Sequence, residues 1–485
     1  MSGTGRRNGV ILAVCCAALF MSTLDTTVLN VALPTLERNF KASPSGLQWT
    51  ASTYILVRGS LLFLSGSFSD RFGRRRCFRI GLVVFTAGSI ACSLSPSLGV
   101  LITSRGFQAV GGALMTPSTL AIIANTFTEK RSRAKALGFW SATTGVSTAA
   151  GPLIGGLLIE SLGWRSVFWV NVPVGLVVYV GTRSLPESRR DGRPRPFDLP
   201  GQLAMTITIT ALTVALITAP TSSWTSPSVV LMLLICVAGA AAFFVRERHA
   251  HHPFLELEIF KVPAMVGAVV IAFVAYIAFA GFLFFNTLYL QDVRHFTPLH
   301  AGLWTVPTTA AVLVAAPISG RLLGGRGARL PATFGGLLVS AAMAELALVM
   351  AAHTSTWLLF VGYACLGFGV GLLNPPATGA SVSRMPPGRA GVAAATTSTV
   401  RQFGSNFGVA LMGSLVFSVM AAYGTLHSGV ELREIVGHRP DSFISGLRLA
   451  YLVVAGLGLT SCLAAIWAFD PAKVREPAID AEHHA

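Results

Sequence analysis

Apolar stretches of roughly 20 residues recur along nearly the whole chain, and this feature constrains the fold more than any other. An α-helix of that length, rising 1.5 Å per residue, crosses the hydrocarbon core of a bilayer, which is about 30 Å thick. The stretches are continuous and rich in Leu, Ala, Gly and Val, without the alternation typical of membrane barrel strands. Charged residues make up 12% of the chain, about half the usual soluble share of roughly 25%. The sequence therefore predicts an all-α membrane protein rather than a soluble domain.

The apolar stretches predict 14 transmembrane helices. The first stretch is long and is followed by others, so it is expected to be a span and not a cleaved signal peptide. The predicted helices cover residues 9–33, 46–68, 78–96, 99–127, 135–160, 165–185, 200–220, 226–246, 264–290, 299–321, 330–352, 355–380, 390–422 and 443–469.

The basic residues predict the orientation of the chain in the membrane. The formal net charge is +16, from 36 Lys and Arg against 20 Asp and Glu. An even number of spans places both termini on one side, and most of the Lys and Arg residues lie in the loops of that side. This asymmetry predicts cytoplasmic termini, so the excess of basic residues indicates topology and not a nucleic-acid partner. The seven cysteines lie in or beside apolar segments without a CxxC pair, so no disulfide or metal site is predicted.

The chain also resembles itself. Residues 66–73 after the second predicted helix align with residues 320–327 after the tenth, and Arg133-Ala134 aligns with Arg389-Ala390 at nearly the same offset. We therefore predict two pseudo-symmetric six-helix bundles, and parallel repeats of this kind bind substrate near the midplane between their halves. The predicted parts are an N-terminal bundle at 1–190, a linker with two inserted transmembrane helices at 191–262, and a C-terminal bundle with a short tail at 263–485.

Ionisable residues well inside the predicted spans are candidates for function. Each charge at the centre of a bilayer costs about 2.5–3.5 kcal/mol on insertion scales, so such residues are retained for a reason. Asp25, Arg58, Arg105 and Arg401 meet this criterion, and Glu345 is a further candidate. At 100° per residue, one polar stripe on the fourth helix contains Arg105, Gln108, Gly112, Thr116 and Thr119.

Four motifs follow one another in an order that is typical of a known family. They are the run Leu-Asp-Thr-Thr-Val-Leu-Asn-Val-Ala-Leu-Pro at 24–34, the predicted loop Gly-Ser-Phe-Ser-Asp-Arg-Phe-Gly-Arg-Arg-Arg at 66–76, Arg-Gly-Phe-Gln-Ala-Val-Gly at 105–111, and the Gly- and Pro-containing run 145–156. With these motifs the chain resembles the major facilitator superfamily, and in particular its fourteen-span drug:proton antiporters.

The resemblance implies a proton-coupled antiporter that exports small organic molecules, such as drugs or antibiotics, by alternating access. Its partners would be the substrate, protons and the lipid bilayer of a bacterial cell membrane, and no nucleic acid. It would work as a monomer, with the proton gradient as its energy source and no cofactor. A transporter of the same fold that is specific for one metabolite or secreted natural product is the alternative.

The resemblance also assigns residues. Proton coupling is expected of Asp25, Arg105 and Arg58. A cytoplasmic latch is expected at Gly66, Asp70, Arg71, Gly73, Arg74 and Glu129, although Gly324 replaces the acidic residue in the second half. The antiporter motif of the fifth helix comprises Gly145, Gly151, Pro152, Gly155 and Gly156. These glycines either kink the helix or only allow close packing, since Gly151 and Gly155 form a GxxxG pair.

Two candidate roles leave alternatives open at this stage. Asp25 is either a proton carrier or the acidic member of a static pair with Arg58 or another neighbour, and Arg105 either governs the proton site or only ties helices together. On the ninth predicted helix, Phe282, Asn286 and Tyr289 share a face that suits either a large substrate or helix packing. The full set predicted to line the cavity is Asn30, Tyr54, Gln108, Thr116, Phe282, Asn286, Tyr289 and Arg401.

Other classes of protein fit the sequence poorly. No loop is long enough for a soluble catalytic domain, so an enzyme is not expected. The chain contains no GxxxxGK[ST] motif, so ATP is not the expected energy source.

Overall fold

A computed structural model describes residues 3–187, 198–250, 257–383, 390–424, 436 and 439–470. These residues form α-helices joined by short turns, with no strand among them. The helices of the first half are α1 Gly3–Phe40, α2 Pro44–Phe72, α3 Arg74–Ser93, α4 Leu98–Thr126, α5 Lys130–Leu162, α6 Ser166–Trp169 and α7 Asn171–Gly181. They are followed by α8 Leu199–Ser222, α9 Pro227–His249, α10 Pro263–Leu288, α11 Pro298–Trp304, α12 Val306–Arg326, α13 Arg329–Val349, α14 Thr356–Ser383, α15 Ala390–Ala422 and α16 Pro440–Ala468.

Many of these helices are able to cross a membrane, which confirms an all-α protein with many spans. Twelve helical segments of the described chain are long and apolar enough, and a thirteenth is added if the bent pair within α5 counts as one span. The helix α2 is not among them. Its buried face carries several polar side chains, including Gln48, Thr50 and Arg58, which lower its hydropathy. The count of 14 spans therefore stays a prediction.

Local sequence explains where several helices begin. The side-chain oxygens of Ser43, Ser97, Ser226 and Thr297 each accept a hydrogen bond from the backbone N–H three residues later. Three of these caps are followed by proline at the first helical position, where the missing N–H has no helical partner to lose. The short connections therefore carry their own helix-start signals.

The predicted loop at 66–76 is wrong. The helix α2 continues to Phe72 and α3 begins at Arg74, so only Gly73 separates them. Gly73 has φ of +99°, a conformation that glycine adopts without steric cost. Charged residues ended the apolar stretch in the sequence, but Arg is a good helix former and hydropathy does not report where a helix ends.

Two predicted helices are interrupted. Residues 165–185 form the short helix α6, the helix α7 and a 3₁₀ turn at Thr182–Ser184. The predicted helix 299–321 is divided at Thr305 between α11 and α12. The preceding helix α10 passes into a π-helical turn at Tyr289–Val293, which extends it beyond the predicted end.

The chain forms two compact units. The first unit contains residues 1–202, 286–306 and 427–438, and the second contains 203–285, 307–426 and 439–485. In the first unit, glycines bring α3 and α4 together, since a Cβ on Gly81 would lie 2.9 Å from the carbonyl oxygen of Gly111. In the second unit, Gly336 of α13 packs on Cys462 of α16, where a Cβ would lie 2.8 Å from the backbone nitrogen. The predicted division at 190 and 262 stays a prediction.

Apolar side chains cover much of the outer surface. On α9, for example, Leu231, Leu234, Val237 and Val245 are all exposed. Contiguous apolar surface of this extent is unfavourable in water and favourable against lipid chains. This distribution agrees with a helical bundle whose polar side chains are turned inward.

Candidate functional site

A buried ion pair joins two helices of the first unit. The guanidinium Nη1 of Arg105 on α4 lies 2.5 Å from the carboxylate Oδ2 of Asp25 on α1. Arg105 is fully buried and Asp25 is 1% exposed. An ion pair without water is favourable only when further hydrogen bonds satisfy its remaining polar atoms.

Two amide side chains supply those hydrogen bonds, and a serine hydroxyl holds both amides. Gln108 and Asn171 donate to Oδ1 of Asp25 at 2.8 and 2.9 Å. Both amides also donate to Oγ of Ser89, at 2.7 and 3.2 Å. Arg105 donates to Oε1 of Gln108 at 2.7 Å, which closes the network. We call these five residues, Asp25, Ser89, Arg105, Gln108 and Asn171, the Asp25 cluster.

Aromatic rings enclose the arginine of this cluster. The guanidinium carbon of Arg105 lies 4.3 Å from the ring centre of Tyr54 and 5.7 Å from that of Phe168. Its Nε and Nη2 have no hydrogen-bond partner among the described residues, so the faces of these rings are what stabilise that side of the cation. The low dielectric of such a site strengthens the attraction between Arg105 and Asp25.

Glycine positions the helices that carry the cluster. A Cβ on Gly88 of α3 would lie 2.6 Å from Cα of Gln108 on α4, so only glycine allows this approach. Because of this close approach, the neighbouring Ser89 reaches the amide of Gln108. The site therefore depends on packing between α3 and α4 as well as on its charges.

The structure brings together two of the residues expected to couple protons, Asp25 and Arg105, and one that was predicted to line the cavity, Gln108. Asp25, Arg105 and Gln108 form the centre of the cluster, and the partner of Asp25 is Arg105 rather than Arg58. Arg58 instead donates from Nη2 to the hydroxyl of Thr116 at 3.1 Å and lies 5.9 Å from the Tyr54 ring centre. A proton-coupling role for Asp25, Arg105 and Arg58 stays a prediction.

Sequence reasoning assigned no role to three side chains around the ion pair. Asn171 belongs to a motif that continues the family pattern, and a buried amide in an apolar segment is a signal that could have identified it. Ser89 and Phe168 carry no such signal, since serine and phenylalanine are common throughout the spans.

The residues of the predicted latch lie at the junction of α2 and α3 and at the start of α5. The side chain of Asp70 lies outside the described part. Arg71 is exposed, with its guanidinium carbon 5.7 Å from the Phe72 ring centre, and Gly66 and Arg74 are half-buried. Glu129 is exposed and accepts a hydrogen bond from Ser132 at 2.6 Å.

A carboxylate that sequence reasoning did not include, Glu187, lies beside Gly73. The latch stays a prediction.

The antiporter motif of α5 makes close backbone contacts. Gly151 packs on Thr27 and Gly155 on Val28, both of α1, and a Cβ on Gly156 would lie 2.6 Å from Cα of Leu299 in α11. The helix is also bent by 43° between its segments 135–148 and 150–162, as proline inside a helix often causes. A role of this bend in closing the cavity, as against packing alone, stays a prediction. The motif also includes Pro152, which is buried, and Gly145, which is half-buried.

The residues predicted to line a cavity have different degrees of burial. Phe282 is fully buried in the second unit and makes an edge contact with Tyr363 at 5.0 Å between ring centres. Asn286 and Tyr289 are also fully buried, whereas Asn30 is half-buried. Contact of these residues with substrate stays a prediction.

Two further ionisable side chains lie in the second unit. The guanidinium carbon of Arg401 lies 5.6 Å from the ring centre of Tyr276, and its Nε is buried without a partner among the described residues. Both carboxylate oxygens of Glu345 are likewise buried without a partner there, against Gly362 of α14. No three His, Cys, Asp or Glu side chains of the described residues come together as metal ligands.

Two bacterial proteins are similar to this chain over nearly its full length. The multidrug resistance protein Stp of Mycobacterium tuberculosis is 34% identical over 496 residues, which covers 95% of this chain and 92% of that protein. The tetracenomycin C resistance and export protein of Streptomyces glaucescens is 32% identical over 501 residues, which covers 96% and 92%.

A solved structure and a family model agree with these relatives. The fold matches the crystal structure of a bacterial homologue of the human lysosomal transporter Spinster, inward-facing and unoccupied, with a TM-score of 0.68. That match covers 95% of this chain and 97% of the other at 18% identity, so it shows a shared fold. The family model described as Major Facilitator Superfamily matches residues 15–409. This match and the identity to full-length relatives confirm the resemblance: the chain belongs to the major facilitator superfamily of membrane transporters.

Proposed function

We propose that this transporter exports small organic molecules of the drug or antibiotic kind across the bacterial cell membrane in exchange for protons. The observation that carries the proposal is the Asp25 cluster, a carboxylate 1% exposed with three donors on α4 and α7. The names of the two relatives, a multidrug resistance protein and a resistance and export protein, support efflux of such compounds.

The cluster suits a proton-coupling step because its ion pair depends on charge. Ionised Asp25 attracts Arg105 and accepts hydrogen bonds at both oxygens. A proton on the carboxyl would neutralise it and remove the charge-assisted hydrogen bond, which is about twice as strong as a neutral one. Arg105 would then be free to take another position, and α1 would be held less tightly to α4. Proton binding is thereby linked to a change in helix packing, as alternating access requires.

The proton gradient contains enough free energy for this transport. One charge that moves through 100 mV releases about 2.3 kcal/mol, and one pH unit adds about 1.4 kcal/mol. Since a tenfold gradient costs about 1.4 kcal/mol, one proton supports a several-hundred-fold gradient of a neutral substrate.

The proposal is tested by Asp25→Asn in everted membrane vesicles whose interior is acidified by respiration. Acridine orange, which is quenched at low internal pH, reports proton release when a substrate chosen from a susceptibility panel is added. We expect dequenching with the wild type and with the exposed control Glu258→Gln, and none with Asp25→Asn at equal membrane abundance. Normal dequenching with Asp25→Asn would remove the Asp25 cluster from the coupling step.

A further inference from the structure

Arg58 is a buried cation without an ion-pair partner among the described residues. It is 7% exposed and donates a hydrogen bond to the hydroxyl of Thr116 at 3.1 Å. Its Nε is buried and has no hydrogen-bond partner among the described residues. Among the described residues, no carboxylate lies within ion-pair distance of Arg58. In this respect Arg58 differs from Arg105, which is paired with Asp25.

Asp25 is paired with Arg105 in this arrangement and not with Arg58. Its two oxygens accept hydrogen bonds from Arg105, Gln108 and Asn171. Arg58 and Arg105 lie beside the same ring, that of Tyr54, at 5.9 and 4.3 Å. Among the described residues, two arginines therefore lie beside this tyrosine, and the carboxylate of Asp25 is paired with Arg105 and not with Arg58.

Arg58 is held in position by packing as well as by Thr116. A Cβ on Gly112 of α4 would lie 2.6 Å from the Tyr54 hydroxyl and 3.8 Å from Cδ of Arg58. Glycine there lets both side chains of α2 lie against α4. Thr116 is half-buried, whereas Arg58 itself is 7% exposed. Its planar guanidinium carries five N–H donors, of which Nη2 is used by Thr116 and Nε has no partner among the described residues.

The second unit contains a partly similar arginine, Arg401, which is half-buried. Arg401 also lies against a tyrosine ring, Tyr276, and also has a buried Nε without a partner among the described residues. The only unpaired buried acid described in that unit, Glu345, is not within ion-pair distance of it. Ionisable groups without a partner inside a membrane bundle are costly and mark ligand pathways. The described groups of this kind include two arginines that each lie against a tyrosine ring, together with Glu345.

We propose that Arg58 binds an acidic group of the transported molecule, so that the preferred substrates are organic anions with a carboxylate, phenolate or phosphate. This inference deepens the proposed export function and rests on it. The planar guanidinium suits such a group because it can form two parallel charge-assisted hydrogen bonds. The substrate would supply the negative charge that the described residues do not place beside Arg58.

The test uses three probes with one aromatic frame and different charge: anthracene-9-carboxylate, anthracene-9-carboxamide and 9-(aminomethyl)anthracene. Binding is measured by fluorescence anisotropy with purified protein in nanodiscs of phosphatidylcholine, without a proton gradient. We expect the wild type and the exposed control Arg321→Gln to bind the carboxylate most tightly. Arg58→Gln should bind the carboxylate roughly tenfold or more weakly, as expected for a lost charge-assisted hydrogen bond, and the carboxamide as before. Arg58→Lys should keep part of the preference for the carboxylate.

Three results would overturn the inference. They are equal affinity of the wild type for all three probes, a preference for the ammonium probe, and an unchanged carboxylate affinity in Arg58→Gln. Should Arg58→Gln not accumulate as folded protein, Thr116→Val removes only the hydroxyl that orients the guanidinium. That variant should weaken binding of the carboxylate and not of the carboxamide, and equal weakening of both would count against the proposal.

A second arm distinguishes a substrate site from a site for an anionic lipid headgroup. In nanodiscs that contain phosphatidylglycerol, the carboxylate affinity of the wild type should stay the same. If the lipid displaces the probe from the wild type but not from Arg58→Gln, the site binds lipid and the substrate assignment is wrong. The binding experiments need no proton gradient, so their result is independent of the acridine orange assay. Absence of a preference for the carboxylate would overturn only the role of Arg58, while dequenching by another substrate would still support proton-coupled export. Conversely, a carboxylate preference without dequenching would overturn only the proposed proton coupling.

Discussion

At the scale of single residues, Arg105 donates hydrogen bonds to two acceptors of the Asp25 cluster and also lies against an aromatic ring. Its Nη1 donates to both Asp25 and Gln108, while the guanidinium carbon lies 4.3 Å from the Tyr54 ring centre. Lysine carries the same charge as a compact ammonium without the planar fork, so it cannot reproduce this set of contacts. The identity of the cation, and not only its charge, therefore matters in this position.

We accordingly expect Arg105→Lys to retain part of the proton-coupled transport and Arg105→Ala to lose all of it. Removal of one partner of a buried pair costs about 3–5 kcal/mol, so Arg105→Ala should also unfold at lower temperature in detergent. The measurement is acridine orange dequenching per folded transporter, together with the melting temperature. Full transport by the folded fraction of Arg105→Ala would show that the arginine only ties helices together.

At the scale of secondary-structure elements, the close approach of α3 to α4 brings Ser89 of α3 into contact with Gln108 of α4. Gly111 of α4 packs directly on the backbone of Phe85 in α3, where a Cβ has no room. Gly99 of the same helix has nothing within 4 Å of its Cβ position. These two glycines therefore form a matched pair, one inside the helix interface and one outside it.

Gly111→Ala should destabilise the protein by about 1–3 kcal/mol, as overpacking of a core does. Gly99→Ala should leave stability the same or raise it by up to about 1 kcal/mol, since alanine is the better helix former. Thermal unfolding of the two purified variants in one detergent measures both effects. Equal melting temperatures would mean that α3 and α4 are not as close in the membrane as described.

At the scale of the whole molecule, the number of spans determines whether both termini lie on one side of the membrane. Composition supports twelve or thirteen spans, and the polar helix α2 would complete the predicted count of 14. A helix whose polar face is buried in a bundle needs less hydropathy than one surrounded by lipid. The helix α2, with Gln48 and Thr50 fully buried, is of this kind.

We therefore expect epitope tags on both termini to be cleaved by protease in everted vesicles and protected in intact spheroplasts. Cytoplasmic termini follow from the distribution of Lys and Arg, and their shared side follows from an even number of spans. A tag on the native periplasmic loop of an unrelated membrane protein serves as the control for sidedness. Cleavage of only one tag in everted vesicles would show an odd number of spans.

The sequence by itself determined that this chain is a bundle of membrane helices, because hydropathy over about 20 residues is a local property. It also singled out Asp25 and Arg105, since a charge inside an apolar stretch is costly wherever the helix lies in the bundle. The family motifs added Gln108 to these candidate residues. Membership of the superfamily was confirmed. The ends of the helices were less predictable from hydropathy. The helix α2, for example, continues through charged residues beyond the end of its apolar stretch.

Only the tertiary structure decided which side chains meet. The donors to Asp25 lie 80, 83 and 146 positions along the chain, and no periodicity within one helix reports contacts at such separation. Packing of α3 against α4 brought Ser89 into the cluster, and packing of α2 against α4 gave Arg58 a hydroxyl partner in place of Asp25. Asp25 pairs with Arg105, and Arg58 has no ion-pair partner among the residues that the structure describes. Which arginine pairs with Asp25 depends on how the helices pack in three dimensions. The sequence gives only the order of the helices along the chain.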